Sequence, residues 1–166
     1  MIRLAARAAS YTTAIGMLVC SASALHAQQQ RIPTFAEYRA DAIVGRGTAI
    51  EGGLGIVIPA GVYVRTSIDG AAGATWRDNS THASGRVDVV SRFLLDPFRE
   101  VPVGISLGGG ISVPYASGDR RVRPYLTAVV DIEGRRRSGI TPAIQIGIGG
   151  GTRVGVVLRR SPRSWR

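Results

Sequence analysis

Short runs of alternating apolar and polar residues recur along most of the chain. The clearest run is 62–76, in which Val64 and Ile68 take even positions and Arg65 and Asp69 take odd positions. Successive side chains of a β-strand point to opposite faces, so this alternation predicts strands with one apolar and one polar face. The same alternation, weaker in the last two, is found in the runs 86–95, 103–113, 123–133, 140–149 and 152–159.

Residues that favour turns separate these runs. Pro59–Gly61 and Gly149–Gly151 predict tight turns. Longer connections are predicted at 77–84, 96–102, 114–121 and 134–139. The earlier stretch 38–58 fits two further strands around Gly45–Thr48, which brings the total to eight.

These strands predict an all-β fold, a closed antiparallel up-and-down β-barrel spanning 37–160. Eight membrane strands of about ten residues need roughly 80 residues, and the rest is enough for the connections. A segment at 28–36 would precede the barrel, and a basic tail at 161–166 would follow it.

The first 27 residues predict a secretory signal peptide. Arg3 and Arg7 give a positive start, 14–20 is a short apolar core, and 21–27 is rich in small residues. We therefore expect export, with the mature protein starting at Gln28. The residues before Cys20 fit a lipoprotein signal poorly.

Charge is unusual in this chain because all 21 basic residues are Arg, against 11 acidic residues and a net charge of +10. Such a charge suggests nucleic acid, but a secretory leader argues for a different location, and we expect no nucleic-acid partner. No later stretch has about 18 consecutive apolar residues, so no transmembrane helix is predicted.

The polar faces of the predicted strands carry charges of both signs in equal number. An eight-stranded barrel is just wide enough to be filled by side chains, and buried charges there must pair or stay hydrated. We predict an interior charge network of Arg39, Asp41, Glu51, Arg65, Asp69, Arg86, Asp88, Arg92, Arg123, Asp131, Glu133 and Arg153. The alternative is that these faces form the solvated outside of a soluble sandwich or lipocalin-like barrel, whose core would be thin because the apolar faces hold many Ala and Gly.

Four aromatic residues lie near strand ends, where the girdles of membrane barrels sit. They are Tyr38, Trp76, Phe98 and Tyr115. With the alternating strands over 38–160, the chain resembles the small eight-stranded outer-membrane barrels of the OmpA and OmpX type. It departs from that class at its end, where Pro162 interrupts the last strand and Trp165 is not the final residue.

The resemblance implies an outer-membrane location and a structural, anchoring or surface-interaction role without catalysis. Expected partners are outer-membrane lipid, the export and barrel-assembly machinery, and lipopolysaccharide phosphates that Arg135–Arg137 would attract. The alternatives are a periplasmic lipocalin-like barrel binding a small apolar ligand and, third, a lipid-modifying barrel enzyme.

Motifs for catalysis are weak. Gly104–Gly108 matches the G-x-S-x-G nucleophile elbow, but the residues after it continue a strand and no His follows. Ser80–His82 offers a hydroxyl beside a base in a predicted loop. The carboxylates of the polar faces have arginines beside them, which favours ion pairing over acid–base catalysis. Gly147–Gly151 lacks the rest of a phosphate-binding fingerprint. We therefore expect no enzyme, cofactor or metal.

Overall fold

The computed structural model describes residues 33–98, 102–117, 122–135 and 137–160, and they form eight β-strands. The strands are β1 (Phe35–Val44), β2 (Thr48–Pro59), β3 (Val64–Arg77), β4 (Ser80–Leu94), β5 (Gly104–Ala116), β6 (Tyr125–Glu133), β7 (Ile140–Ile148) and β8 (Thr152–Arg160). Each strand pairs antiparallel with the next, and β1 pairs with β8, so the sheet closes on itself. The predicted all-β closed antiparallel barrel is confirmed. Among the described residues, no helix is long and apolar enough to cross a membrane.

The first strand begins earlier than predicted, at Phe35, inside the segment assigned to 28–36. The predicted leader at 1–27 and the predicted tail at 161–166 lie outside the described residues.

The predicted long connection at 77–84 is wrong. β3 runs to Arg77 and β4 begins at Ser80, so only Asp78 and Asn79 form the turn. Both have positive φ angles, 51° and 59°. Asn and Asp tolerate this left-handed conformation, and two such residues make the turn whose twist matches a hairpin. The polar residues after the turn suggested a loop, but they continue the ladder, with Thr81 opposite Trp76.

The barrel has two ends. Because it has an even number of strands, β1 starts and β8 finishes at the same end, called here the terminal end. The turns that join β1 to β2, β3 to β4, β5 to β6 and β7 to β8 lie at the opposite end. Gly149–Gly151, the last of these turns, was predicted to be tight, and Gly150 has a φ of +72° that disfavours other residues.

Apolar and polar residues are distributed in the reverse of the usual way. Thirty-three large apolar side chains of the described residues are exposed, whereas the buried residues comprise seven apolar and eighteen polar or charged ones. The alternation seen in the sequence therefore puts the apolar face outside and the polar face inside.

Candidate functional site

The interior of the barrel holds most of the predicted charge network. Ten of the twelve predicted residues are buried. They are Arg39, Asp41, Glu51, Asp69, Arg86, Asp88, Arg92, Asp131, Glu133 and Arg153. The Arg65 side chain is 20% exposed and donates to Glu133 over 3.0 Å. Arg123 differs from the prediction because it precedes β6 and is exposed. The alternation was extended two residues too far there, across Pro124.

Three further interior residues were missed by the sequence reasoning. Glu37, Gln145 and Arg159 are all buried. The sequence did indicate two of them. Glu37 is two residues from Arg39 on β1, and Arg159 is six residues from Arg153 on β8, so each faces the same side of its strand as a predicted interior residue. Glu37 and Arg159 lie close to the end of a run, where the sequence alone does not fix the last inward position, whereas Gln145 lies in the middle of β7 and carries no charge.

Arg159 is the centre of the first cluster of charges, near the terminal end. Its guanidinium lies 2.7 Å from Glu37, 2.5 Å from Asp131 and 2.6 Å from Glu133. Glu37 is its ladder neighbour on β1, whereas the other two carboxylates come from β6. One cation thus joins three carboxylates from both sides of its own strand.

Arg39 is the centre of the second cluster. Its guanidinium lies 2.8 Å from Asp41, 3.5 Å from Asp69 and 3.7 Å from Asp88. It also donates over 2.5 Å to Gln145, whose own amide donates over 2.7 Å to Asp131. Gln145 therefore connects the second cluster to the first.

Three other interior arginines form ion pairs with carboxylates on strands that are not neighbours of their own. Arg86 on β4 lies 2.5 Å from Asp41 on β1, and Arg153 on β8 lies 2.6 Å from Asp88 on β4. Arg92 on β4 lies 2.9 Å from Asp131 on β6. These ion pairs cross the inside of the barrel, so the side chains link opposite walls as well as filling the space between them.

The charges in the described interior almost cancel. Six arginines, counting Arg65 and Arg159, face seven carboxylates, counting Glu37, which gives 6 − 7 = −1. A buried charge is costly unless it is paired and hydrogen-bonded, so near-neutrality is what a closed interior requires. The chain's net charge of +10 consequently resides outside this network.

The half of the interior nearer the turns is open. A cavity of about 570 Å³ lies there, and the turns at Gly45–Gly47 and Gly149–Gly150 contribute to its lining. We call it the vestibule. Its charged lining residues are Arg46, Glu51, Arg77, Arg86, Arg123 and Arg153.

The candidate catalytic residues are not assembled into a site. Ser106 is buried in β5 opposite Leu94 of β4, and the predicted nucleophile elbow is simply strand. His82 lies in β4 and not in a loop. It is twelve residues from Leu94, the ladder partner of Ser106, so roughly 40 Å along the strand separates His82 from the level of Ser106. Among the described residues, no group of His, Cys, Asp and Glu is arranged to hold a metal ion.

The four predicted interfacial aromatics are all exposed, and they lie towards both ends of the barrel. Trp76 and Tyr115 are near the turns, whereas Tyr38 and Phe98 are nearer the terminal end. The sequence reasoning missed Tyr63, whose ring stacks on Phe93 at 5.7 Å and meets Phe98 edge-on at 6.3 Å.

Comparison with known proteins identifies the architecture. No protein-family model matches the chain, and no curated protein matches it. Among solved structures it is similar to Neisserial surface protein A, with a TM-score of 0.58 and 9% identity over 78% of this chain and 96% of that one.

Two further structures show the same architecture. A de novo designed transmembrane β-barrel gives a TM-score of 0.53 with 12% identity, covering 81% of this chain and 98% of the design. The N-terminal β-barrel domain of Pseudomonas aeruginosa OprF gives 0.50 with 8% identity, covering 75% and 96%. Both natural proteins are eight-stranded outer-membrane barrels, and the predicted resemblance to that class is confirmed in the fold.

Proposed function

We propose that this chain is an exported outer-membrane β-barrel with a structural, anchoring or surface-interaction role and no catalytic activity. The observation that carries the proposal is the inverted distribution of apolar residues, with thirty-three large apolar side chains exposed and only seven apolar residues buried. Soluble monomers rarely expose apolar patches larger than a few hundred Å², and a continuous apolar belt is what hydrocarbon requires.

The composition of the outer face supports lipid contact. From Ala36 to Leu158, the outward positions of the strands carry no charged residue, and Arg160 at the end of β8 is the first. Two outward hydroxyls, Thr66 and Ser91, lie 3.0 Å apart on adjacent strands and satisfy each other. An unsatisfied polar group is expensive in hydrocarbon, so this pairing suits a lipid-facing position.

The interior supports a role without catalysis. Each of its seven carboxylates lies within 4.0 Å of an arginine, so none is set apart as an acid or a base. A lipocalin-like carrier of an apolar ligand is not favoured, because arginines line the vestibule. Lipid modification by Ser80–His82 is not favoured either, because these residues continue the β4 ladder instead of forming the predicted loop.

Exposed arginines at the two ends of the barrel favour contact with the phosphates of lipids. A chain inserted from the periplasm keeps both termini on that side, so the terminal end would be periplasmic. Arg135, Arg137 and Arg160 are exposed there and would meet phosphates of the inner leaflet. Lipopolysaccharide phosphates would then contact the opposite end, where Arg46 and Arg123 are exposed. Export and barrel-assembly machinery would deliver the chain.

Site-directed spin labelling tests membrane insertion. Single cysteines replace residues 105, 106 and 107 in mature protein that lacks Cys20, and the labelled proteins are reconstituted in phospholipid vesicles. Ile105 and Leu107 are 44% and 47% exposed, whereas Ser106 is 2% exposed. We expect labels at 105 and 107 to be accessible to oxygen and inaccessible to a water-soluble nickel chelate, while the label at 106 is shielded from both.

The opposite accessibility pattern would contradict membrane insertion. If labels at 105 and 107 are relaxed by the nickel chelate, the apolar face meets water and the membrane proposal fails. A control label at Asp78, in an exposed turn, reports the chelate response of a water-facing site.

A further inference from the structure

We propose that the vestibule binds a small soluble oxyanion that carries phosphate or carboxylate groups. The cavity of about 570 Å³ is within the size range of small-molecule sites. This inference concerns a ligand, which the structural role proposed above does not include.

The vestibule carries a surplus of positive charge. Five arginines and one glutamate line it, but Arg86 and Arg153 are already paired with Asp41 and Asp88 of the network beneath, and Arg77 lies 3.7 Å from Asp78. The surplus therefore comes from Arg46 and Arg123. The planar guanidinium presents donors in a fork that matches carboxylate and phosphate oxygens. A concave site of one sign also concentrates counter-ions of the opposite sign.

The floor of the vestibule carries donors that are not used by the protein. Arg153 is 5% exposed, and its Nη1 donates to Asp88 over 2.6 Å. Its Nε and Nη2 have no hydrogen-bond partner among the described residues, nor does Oγ of Ser84. Leaving buried donors unsatisfied is costly, so a ligand with oxygen acceptors would be stabilised at the floor.

The rim supplies further cations. Arg46 and Arg123 are exposed lining residues, and neither has an ion-pair partner among the described residues. An anion with two acidic groups can therefore contact Arg153 at the floor and a rim arginine together. If the proposed outer-membrane orientation holds, the vestibule opens to the cell exterior, but the binding itself does not depend on that orientation.

Calorimetric titration of folded protein in neutral detergent with inorganic pyrophosphate tests the inference. We expect saturable binding of one pyrophosphate per barrel at constant ionic strength. Arg123→Gln should weaken binding about tenfold, since it removes one charge-assisted contact. Arg135→Gln makes the same charge change at the terminal end and should leave the affinity within about twofold.

A floor variant tests the inner contact. Arg153→Lys keeps a cation for Asp88 but removes the unused Nε and Nη2 donors, and it should also weaken binding about tenfold or more. If this variant does not fold, the comparison of Arg123→Gln with Arg135→Gln still decides the matter. Absence of saturable heat, or equal weakening by the rim and terminal-end variants, would overturn the proposal.

Nanodiscs distinguish a soluble anion from a lipid headgroup. Pyrophosphate should bind equally well to the protein in phosphatidylcholine discs and in discs that contain lipid A. Loss of binding in the lipid A discs would mean that a headgroup phosphate occupies the vestibule, and the soluble ligand would be rejected. Because the titration is read in detergent as well, its outcome is independent of whether the barrel proves to be a membrane protein.

Discussion

Asp69 and Asp88 lie directly opposite each other in the ladder between β3 and β4. Two facing carboxylates repel each other, and the fold tolerates them because Arg39 of β1 lies 3.5 Å from one and 3.7 Å from the other. Asp88 is additionally held by Arg86 at 3.1 Å and by Arg153 at 2.6 Å. The two aspartates therefore contribute unequally to the stability of the barrel, although both occupy polar positions of the sequence pattern.

We predict that Asp88→Asn destabilises the barrel by about 3–5 kcal/mol, because it removes one carboxylate from three buried arginines. Either substitution relieves the repulsion, but Asp69→Asn should cost clearly less, because Asp69 lies 3.5 Å from Arg39 and otherwise accepts from the Ser67 hydroxyl, whereas Asp88 contacts three arginines. Urea unfolding in detergent, followed by Trp fluorescence, measures both. Asp78→Asn, in the exposed turn, is the control and should change the stability by less than about 0.5 kcal/mol. Equal effects of the three substitutions would show that the interior charges are hydrated and uncoupled.

A second prediction compares adjacent valines on opposite faces. Val90 is 0% exposed inside the barrel, and Val89 is 45% exposed on the outside. Val90→Ala should leave a cavity and cost about 1–3 kcal/mol in the free energy of unfolding. Val89→Ala should cost much less in vesicles, because acyl chains fill the space. A larger loss at Val89 than at Val90 would reverse the assignment of the faces.

A third prediction uses depth in the bilayer. Val89 lies near the middle of β4, with Ile68 and Ile111 as its ladder neighbours, whereas Ile140 is the first residue of β7. Val89→Arg should cost about 2–4 kcal/mol and Ile140→Arg about 0–1 kcal/mol in lipid vesicles. Urea titration of the vesicle-bound protein gives both values. A difference of the same size in buffer without lipid would be incompatible with membrane insertion, as would equal costs in vesicles.

A fourth prediction concerns two neighbouring glycines of β5. A Cβ on Gly110 would lie 1.9 Å from the carbonyl oxygen of Val89 and 2.8 Å from Cα of Val90, so β4 and β5 approach too closely there for any side chain. The closest atom to a Cβ on Gly109 is 3.5 Å away. Gly110→Ala should therefore separate the strands and cost more than about 2 kcal/mol. Gly109→Ala should be neutral or slightly stabilising, because Ala restricts the unfolded chain. The two midpoints of urea unfolding decide between these outcomes.

Much of the fold could be predicted because strand alternation is a local property. The sequence shows that Arg65 and Asp69 lie on the opposite face of the strand from Val64 and Ile68, and the two pairs do lie on opposite faces in the barrel. The hairpin at Asp78 and Asn79 was missed because the residues after it are small and polar, which describes a loop as well as a strand above an apolar belt. The error at Arg123 has the same origin, since alternation does not show where a strand begins.

The partners within the network could not be predicted. Arg153 pairs with Asp88, 65 residues away, and Arg39 donates to Gln145, 106 residues away. These contacts depend on the register of all the strands and on closure of the sheet, which bring β1 and β8 side by side. The vestibule was missed for the same reason, because no single stretch of sequence contains more than a small part of its lining.

Closure between β1 and β8 has a consequence for how the chain can reach its final state. Glu37 of β1 pairs with Arg159 of β8, and Asp41 of β1 and Arg153 of β8 pair across the barrel with Arg86 and Asp88 of β4. These interior charges find their partners only when the sheet closes. A half-assembled, open sheet would expose unpaired ions and bare strand edges to hydrocarbon, at a high cost. Such an intermediate has no stable place within the bilayer. If the barrel inserts into a membrane as proposed, β1 and β8 have to pair while the interior is still hydrated, so that insertion into lipid and closure of the barrel become a single event.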